Sequence, residues 1–550
     1  MSLHAPLFYV IPEQTAQVAR AAFPKGNPYM QMHDLLGPLY TNPDFAALFP
    51  KTGQPAQAPA HLALITIMQF AEGLSDAQAA DAVRARIDWK YALALDLTDP
   101  GFDSSVLCEF RQRLIAGQAE LLLFETMLTR FREHGLIKAK GRQRTDSTHV
   151  LAAIQVLNRL ECVGETLRQA LNVLATVAPD WLQSWVPAAW FDRYSRRFAE
   201  YRLPAEKPAR YVLAEQIGVD GIELLTQVYA RAAPVGLQTI PAVQILRRVW
   251  VQQFYAPAPG QPLRWRVAED LPPAPLLISS PYDVDARYSK KRETEWVGYK
   301  VHLTESCDPD TPHLLTDVQT TVATTPDHAL TGVIQQQLQG RDLAPSEHVV
   351  DAGYVTAERL VESQQAQIDL VGPTAPEPGW QAKAGDGFAA SCFVIDWDAQ
   401  QARCPQGKTS VVWSPTHDQN EHPVVNIRFA ATDCRACEVR ASCVASTRAR
   451  ALTVRAHDQY VALQAARQRQ HTEAFKALYR TRAGIEGTLS QGTRTSDLRR
   501  SRYIGLAKTC LVHLLIAAAL NFMRVAAWLA DRPRAATRHS AFAKLAGVPT

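Results

Sequence analysis

The 550-residue sequence predicts a mixed α/β fold. Two short apolar segments end in or enclose an aspartate, and strand-like and helix-like stretches alternate between them. Long helical runs lie on either side. In order, the pattern is a strand, a helical insertion, two strands, a helix, a strand, a helix and a strand, which describes a mixed α/β layer. A helical region is expected before it, at residues 1–135.

Residues 1–60 are interrupted by Pro43 and Pro50. From residue 61, HLALITIMQFAEG reads as an apolar-faced helix stopped by Gly73, and Ser75 is placed to cap a second helix, DAQAADAVRAR. A third helix is expected around residues 89–97 and a fourth from Ser104 to about Gly135. Short helices joined by a tight glycine turn suit a helix-turn-helix DNA reader, and equally any small helical bundle.

The first strand of the layer, in residues 136–155, is RQRTDSTHVLA, whose Thr145, Thr148 and Val150 favour extended backbone. Asp146 lies inside it. A carboxylate within a buried strand costs several kcal/mol unless it is paired or metal-bound; taken alone, Asp146 also reads as a turn aspartate. Residues 156–279 form a helical insertion, clearest in LNRLECVGETLRQALNVLATV, with Trp181, Trp185 and Trp190 and a proline-rich connector at 257–275. The layer resumes over 280–371. VGYKVHLT alternates as a strand, residues 314–324 supply another, and EHVVDAGYV ends a buried strand at Asp351. Carboxylates at the C-terminal ends of such strands face the usual functional crevice.

Residues 372–446 form a second insertion containing Cys404, Cys434, Cys437 and Cys443. Four thiols that include a C-x2-C pair suit a tetrahedral structural zinc, although the last spacing departs from the familiar double C-x2-C arrangement. The bland alternative is four reduced thiols. Nine cysteines in so long a chain do not make a disulfide framework.

Composition is that of a soluble globular protein, with 47% hydrophobic and 20% charged residues. The N-terminus has no basic start, and the apolar run at 510–520 is too short for a membrane span, so a cytoplasmic location is expected. Net charge is +4, but residues 444–524 hold 14 Lys/Arg against 4 Asp/Glu, a local excess of +10 that leaves −6 (4 − 10) for the rest. Such a basic block suits a polyanion such as DNA.

Within that block lies YRTRAGIEGTLSQGTR, residues 479–494. Set on one helix from Tyr479, Arg482 falls at about 300°, Glu486 at about 340° and Thr493 at about 320°, so hydroxyl, guanidinium and carboxylate share a stripe. A carboxylate beside cations can hold a metal ion and a phosphodiester together. A surface salt-bridged helix would look similar.

Asp146, Asp351 and Glu486, with Y-x2-R-x3-E spacing around the glutamate, resemble the DDE transposases of bacterial insertion sequences. The resemblance extends to SPYDVDARYSKK, GYKVHLTE, the cysteine insertion, and GTLSQGTR with LRRSRYIGLAKT. It implies an RNase H-like catalytic domain, completed by residues 447–530 and followed by a tail at 531–550. It further implies two Mg²⁺ (or Mn²⁺) ions held by Asp146, Asp351 and Glu486, with cleavage at element ends followed by strand transfer. Tyr479, Arg482, Arg494, Arg499, Arg500 and Arg502 would contact DNA. The partners implied are terminal inverted repeats and target DNA, engaged by a homodimer. The family's signature lysine corresponds to Thr493, and Arg494, at about 60° on the same helix, is the candidate replacement. The rival readings are an inactive transposase-derived DNA-binding protein and a metal-dependent nuclease that cuts without joining.

Overall fold

The computed structural model describes residues 2–3, 9–255, 261–384, 387–533 and 542. The first residues of the proline-rich connector, part of the N-terminal stretch and most of the tail at 531–550 lie outside them. The fold is mixed α/β.

Among the described residues the central sheet has six strands: β1 Arg142–Leu151, β2 Arg287–Lys291, β3 Thr294–Ser306, β4 Leu315–Val322, β5 Glu347–Val350 and β6 Asp369–Val371. Its order is β2-β3-β1-β5-β6, with β4 also paired to β3. β1 is antiparallel to β3 and parallel to β5, and β5 is parallel to β6. The parallel connection from β5 to β6 runs through the helix Ala357–Gln365, which Thr356 caps through the Arg359 amide.

The helix Leu506–Leu529 is the axis of the core. By length and composition it could cross a membrane, yet 78% of its most apolar window is buried inside the protein. It packs against the helix Pro59–Glu72, the helix Pro28–Leu36 and β4, and Phe522 stacks on Tyr29 with ring centroids 5.7 Å apart. Apart from a small cluster around Ala19, Met30 and Tyr91, the helices before β1 share the main core: Phe45, Ile65, Trp89 and Phe131 belong to the same apolar cluster as Val150, Tyr299, Ile485 and Phe522. At about 25 cal/mol per Å² of apolar surface removed from water, this continuity ties the N-terminal helices firmly to the sheet.

Local signals act as expected at Gly73, which ends its helix in the left-handed conformation (φ 69°), and at Ser75, whose hydroxyl and the Gln78 side chain form a reciprocal capping box. Three helices are shorter than their sequence suggests. The one expected at 89–97 is Ile87–Ala92, closed by Ala94 at φ 50°. The run from Ser104 is two helices, Ser105–Ala116 and Leu122–Glu133. They part at Gly117, where a Cβ would lie 2.4 Å from Leu48 Cδ2. The 479–494 stretch is likewise divided, between Glu473–Arg480 and Ala483–Ser496.

Between β1 and β2 the chain forms helices around a separate core that includes Leu167, Trp190, Ile217 and Trp250. Trp181, Trp185 and Trp190 form an edge-on ladder packed on that core. After β6 come two small sheets: β7 Val394–Asp396 with β8 Gln401–Arg403, and β9 Ser410–His417, β10 Pro423–Phe429 and β11 Ala451–Arg455 in the order β11-β10-β9. The insertion therefore continues past residue 446, because β10 needs β11 as its antiparallel neighbour.

Candidate active site

β1 and β5 run parallel with Thr145 opposite Val350. One residue past that pair lie Asp146, still within β1, and Asp351, just beyond the end of β5, so the register brings the two aspartates near one another, close enough for the Asp351 charge to act on Asp146. Asp351 leaves the sheet into a short turn and its Oδ1 accepts the Gly353 amide at 2.8 Å. Asp146 is 9% exposed. Burial pushes its carboxyl above the usual aspartate range and the Asp351 charge adds to this, while the Ser147 amide and Arg482 pull the other way.

The third carboxylate arrives on the helix Ala483–Ser496, which buries Ile485 and Leu489 in the main core and leaves the Glu486 side chain 59% exposed. The preceding helix seats Phe475, Leu478 and Tyr479 against Val349 and Val371. Between them the backbone turns through Thr481 and Arg482 on i→i+3 bonds. Arg144 grips this turn: its Nη1 donates to the Thr481 carbonyl at 2.5 Å. Its guanidinium occupies the space where a Cβ on Gly484 would stand, 2.1 Å from Nη1. Glycine at 484 is what admits the arginine.

The turn directs Arg482 between two of the three carboxylates. Its Nη1 donates to Asp146 Oδ2 at 2.8 Å and its Nη2 donates to Glu486 Oε1. The same guanidinium lies 5.8 Å from the centroid of the Tyr479 ring. Burial raises the Tyr479 hydroxyl's pKa above its usual range, and the Asp351 and Asp146 charges act in the same sense. Thus Asp146, Glu486, Arg482 and Tyr479 converge although the helix carrying their stripe is broken.

The remaining cations are more dispersed. Arg499 Nε donates to Thr148 Oγ1 at 2.8 Å, on the face of β1 that carries Asp146. Arg500 is exposed and bridges to Leu151 at the end of β1. Arg502 reaches over the Phe70 ring, 5.8 Å from its centroid. Arg494 is exposed and turns back onto the Ser490 carbonyl, while the Thr493 hydroxyl bonds to the Leu489 carbonyl. Lys300 and His302, on β3, have local partners. Lys300 Nζ is 2.8 Å from Asp327 Oδ1, and His302 Nδ1 is 2.6 Å from the Tyr354 hydroxyl. Burial pushes His302 down to about 4.

Among the described residues, no three His, Cys, Asp or Glu side chains are gathered closely enough to hold one metal ion. At the carboxylates the donor chemistry nevertheless fits a hard divalent cation, because all three offer oxygen and Asp146 and Glu486 already share a positive charge in Arg482. The four cysteines are neighbours: burial raises the Cys443 thiol, and Cys434, Cys404 and Cys437 push it the same way. Backbone amides point at two of the sulfurs, Lys408 at Cys404 (3.3 Å) and Arg450 at Cys434 (3.5 Å). Three of the four thiols flank the small sheet's apolar core.

Comparison with protein families gives two matches. Residues 403–526 match a family described as Transposase DDE domain. Residues 17–113 match one described as Transposase domain (DUF772). Both matches indicate an insertion-sequence DDE transposase. The first match includes Tyr479, Arg482 and Glu486 of this transposase, whereas Asp146 and Asp351 fall outside both spans. No curated protein and no solved structure matches the chain.

Sequence reasoning missed Arg144, Glu305 and Arg524. Glu305 is fully buried and joins both arginines beneath the site. Its signal was a glutamate at the end of the apolar strand VHLTES, the same anomaly that drew attention to Asp146.

Proposed function

We propose that this transposase cuts DNA at the ends of its insertion sequence and joins the freed 3′-hydroxyl to target DNA, using divalent metal held by Asp146, Asp351 and Glu486. The observation that carries the reading is the register of β1 on β5, which makes Asp146 and Asp351 neighbours, with Arg482 linking Asp146 to Glu486. The sheet order supports an RNase H-like catalytic domain: β3 and β4 on the antiparallel side of β1, β5 and β6 on the parallel side.

When bound, two Mg²⁺ or Mn²⁺ ions supply Lewis acidity to the phosphate and activate the attacking water or 3′-hydroxyl. The chain's own groups do the positioning. Arg482 offers its fork to a non-bridging phosphate oxygen and Tyr479 a hydroxyl beside it. Arg499 and Arg500, at the far end of β1, continue the positive track along the DNA backbone, with Arg502 and Arg494 at its edges. The N-terminal helices read the terminal inverted repeats, and the cysteines hold a structural Zn²⁺ in a thiolate set. Two ends call for two copies of the chain, and a cytoplasmic location accords with the DNA substrate.

The test is cleavage of a duplex carrying the element's inverted repeat. Asp146→Asn, Asp351→Asn and Glu486→Gln each abolish Mg²⁺-dependent cutting and leave end binding intact. Undiminished cutting by any one of them removes that residue from the set. A second readout, joining of the cut end to target DNA, separates a transposase from a nuclease that only cuts.

A further inference from the structure

We propose that Glu305 is the positioning residue that fixes the Glu486 helix against the Asp146 strand, an inference that rests on the carboxylate site described above. Glu305 stands directly opposite Arg144 in the β1–β3 pairing. Arg144 is two residues from Asp146, so both project from one face of β1. Glu305 Oε1 accepts Arg144 Nε at 2.7 Å and lies 2.6 Å from Nη2. Its other oxygen, Oε2, accepts Thr488 Oγ1 at 2.6 Å and Arg524 Nη1 at 2.8 Å. Thr488 is two residues from Glu486. Each oxygen of one carboxylate is thus assigned to one of the two elements that carry the outer carboxylates of the site.

Two further features single out this contact. The β3–β4 register shifts between Thr304 and Glu305, and a bulge of that kind re-aims side chains beside functional sites. Arg524 closes the ring from the central helix, donating through Nη2 to Thr488 Oγ1 at 2.7 Å and to Gln491 at 3.0 Å. Arg144 also holds the Thr481 carbonyl at the turn that delivers Arg482. Glu305 is 0% exposed, so it is sealed off from solvent and acts on the chemistry only through its neighbours.

The experiment compares wild type, Glu305→Gln, Thr488→Val and Thr488→Ser, each as the full chain. Three quantities are read: Mn²⁺ affinity by electron paramagnetic resonance of the free ion, the cleavage rate constant at saturating inverted-repeat DNA, and the Kd for that DNA. Asp146→Asn identifies the Mn²⁺ bound at the carboxylates. Glu305→Gln and Thr488→Val are expected to lose about tenfold in Mn²⁺ affinity and in rate constant, the low end of the effect of removing a group that orients metal ligands. Thr488→Ser, which keeps the hydroxyl, is expected to restore both, and DNA affinity to stay unchanged throughout. A role confined to stability would leave the Mn²⁺ affinity of the folded protein unaltered, which overturns the proposal while the site reading stands. If Glu305→Gln does not fold, the Thr488 pair decides by the same criterion. Absence of Asp146-dependent Mn²⁺ binding in wild type overturns the site reading itself, and the proposal with it.

Discussion

Gly484→Ala and Gly487→Ala are the same chemical change, three residues apart on one helix, with opposite expected signs. In an exposed helix interior, replacing glycine by alanine contributes up to about 1 kcal/mol of stability. Gly487 is exposed and nothing lies within 4 Å of its added Cβ, so Gly487→Ala should show that gain. At Gly484 the Cβ meets the Arg144 guanidinium at 2.1 to 2.3 Å. That group is the far end of a flexible side chain, but it is 7% exposed and bound to Glu305, Thr481 and His313. Moving it separates a buried ion pair, which costs about 3–5 kcal/mol. Net destabilisation of about 2–4 kcal/mol follows after the alanine gain is subtracted. Urea unfolding of both variants beside wild type measures it, with stability taken from the midpoint and slope. If Gly484→Ala is as stable as wild type, or gains like Gly487→Ala, then Arg144 does not fill that space and the explanation of the turn at 481–482 fails.

Burial pushes the Glu305 carboxyl up, but Arg524 and Arg144 outweigh it and hold the group below the ordinary glutamate range. A depressed carboxyl contributes stability above its unfolded pKa and loses it as pH falls through the folded value. The stability gap between wild type and Glu305→Gln should therefore narrow as pH drops below the glutamate range, and a gap that stays constant in acid urea titrations contradicts the pairing. Arg482→Gln removes the cation that opposes burial at Asp146; the acid limb of the cleavage pH profile should move to higher pH, and an unmoved limb argues against the contact. Metal analysis of reduced protein should find about one zinc per chain, lost in Cys434→Ser and Cys437→Ser; protein that folds without zinc rules out that site.

Much of the candidate site was legible because it follows from local rules. Asp351 was found by the apolar pair Val349–Val350 running into a turn, and Asp146 by a carboxylate inside a strand. The helix stop at Gly73 and the cap at Ser75 likewise depend only on near neighbours. What sequence hid depends on distant partners. A helix through 479–494 is reasonable until Arg144 claims the Thr481 carbonyl from 337 positions away. Glu305 reads as one more polar residue at a strand end, since its partners Arg144, Thr488 and Arg524 are all far away along the chain. The helix Leu506–Leu529 is apolar over most of its length, which announces burial without naming what covers it. Its partners proved to be the N-terminal helices and β4, which share one apolar cluster with it.

The central claim, that Asp146, Asp351 and Glu486 share bound metal, is tested most directly by substituting Fe²⁺ and letting ascorbate and peroxide generate radicals at the ion. The account predicts backbone cuts near residues 146, 351 and 486 together, all suppressed by excess Mg²⁺ and by Asp146→Asn. Cuts near only one of these positions, or cuts that Mg²⁺ does not suppress, would contradict it.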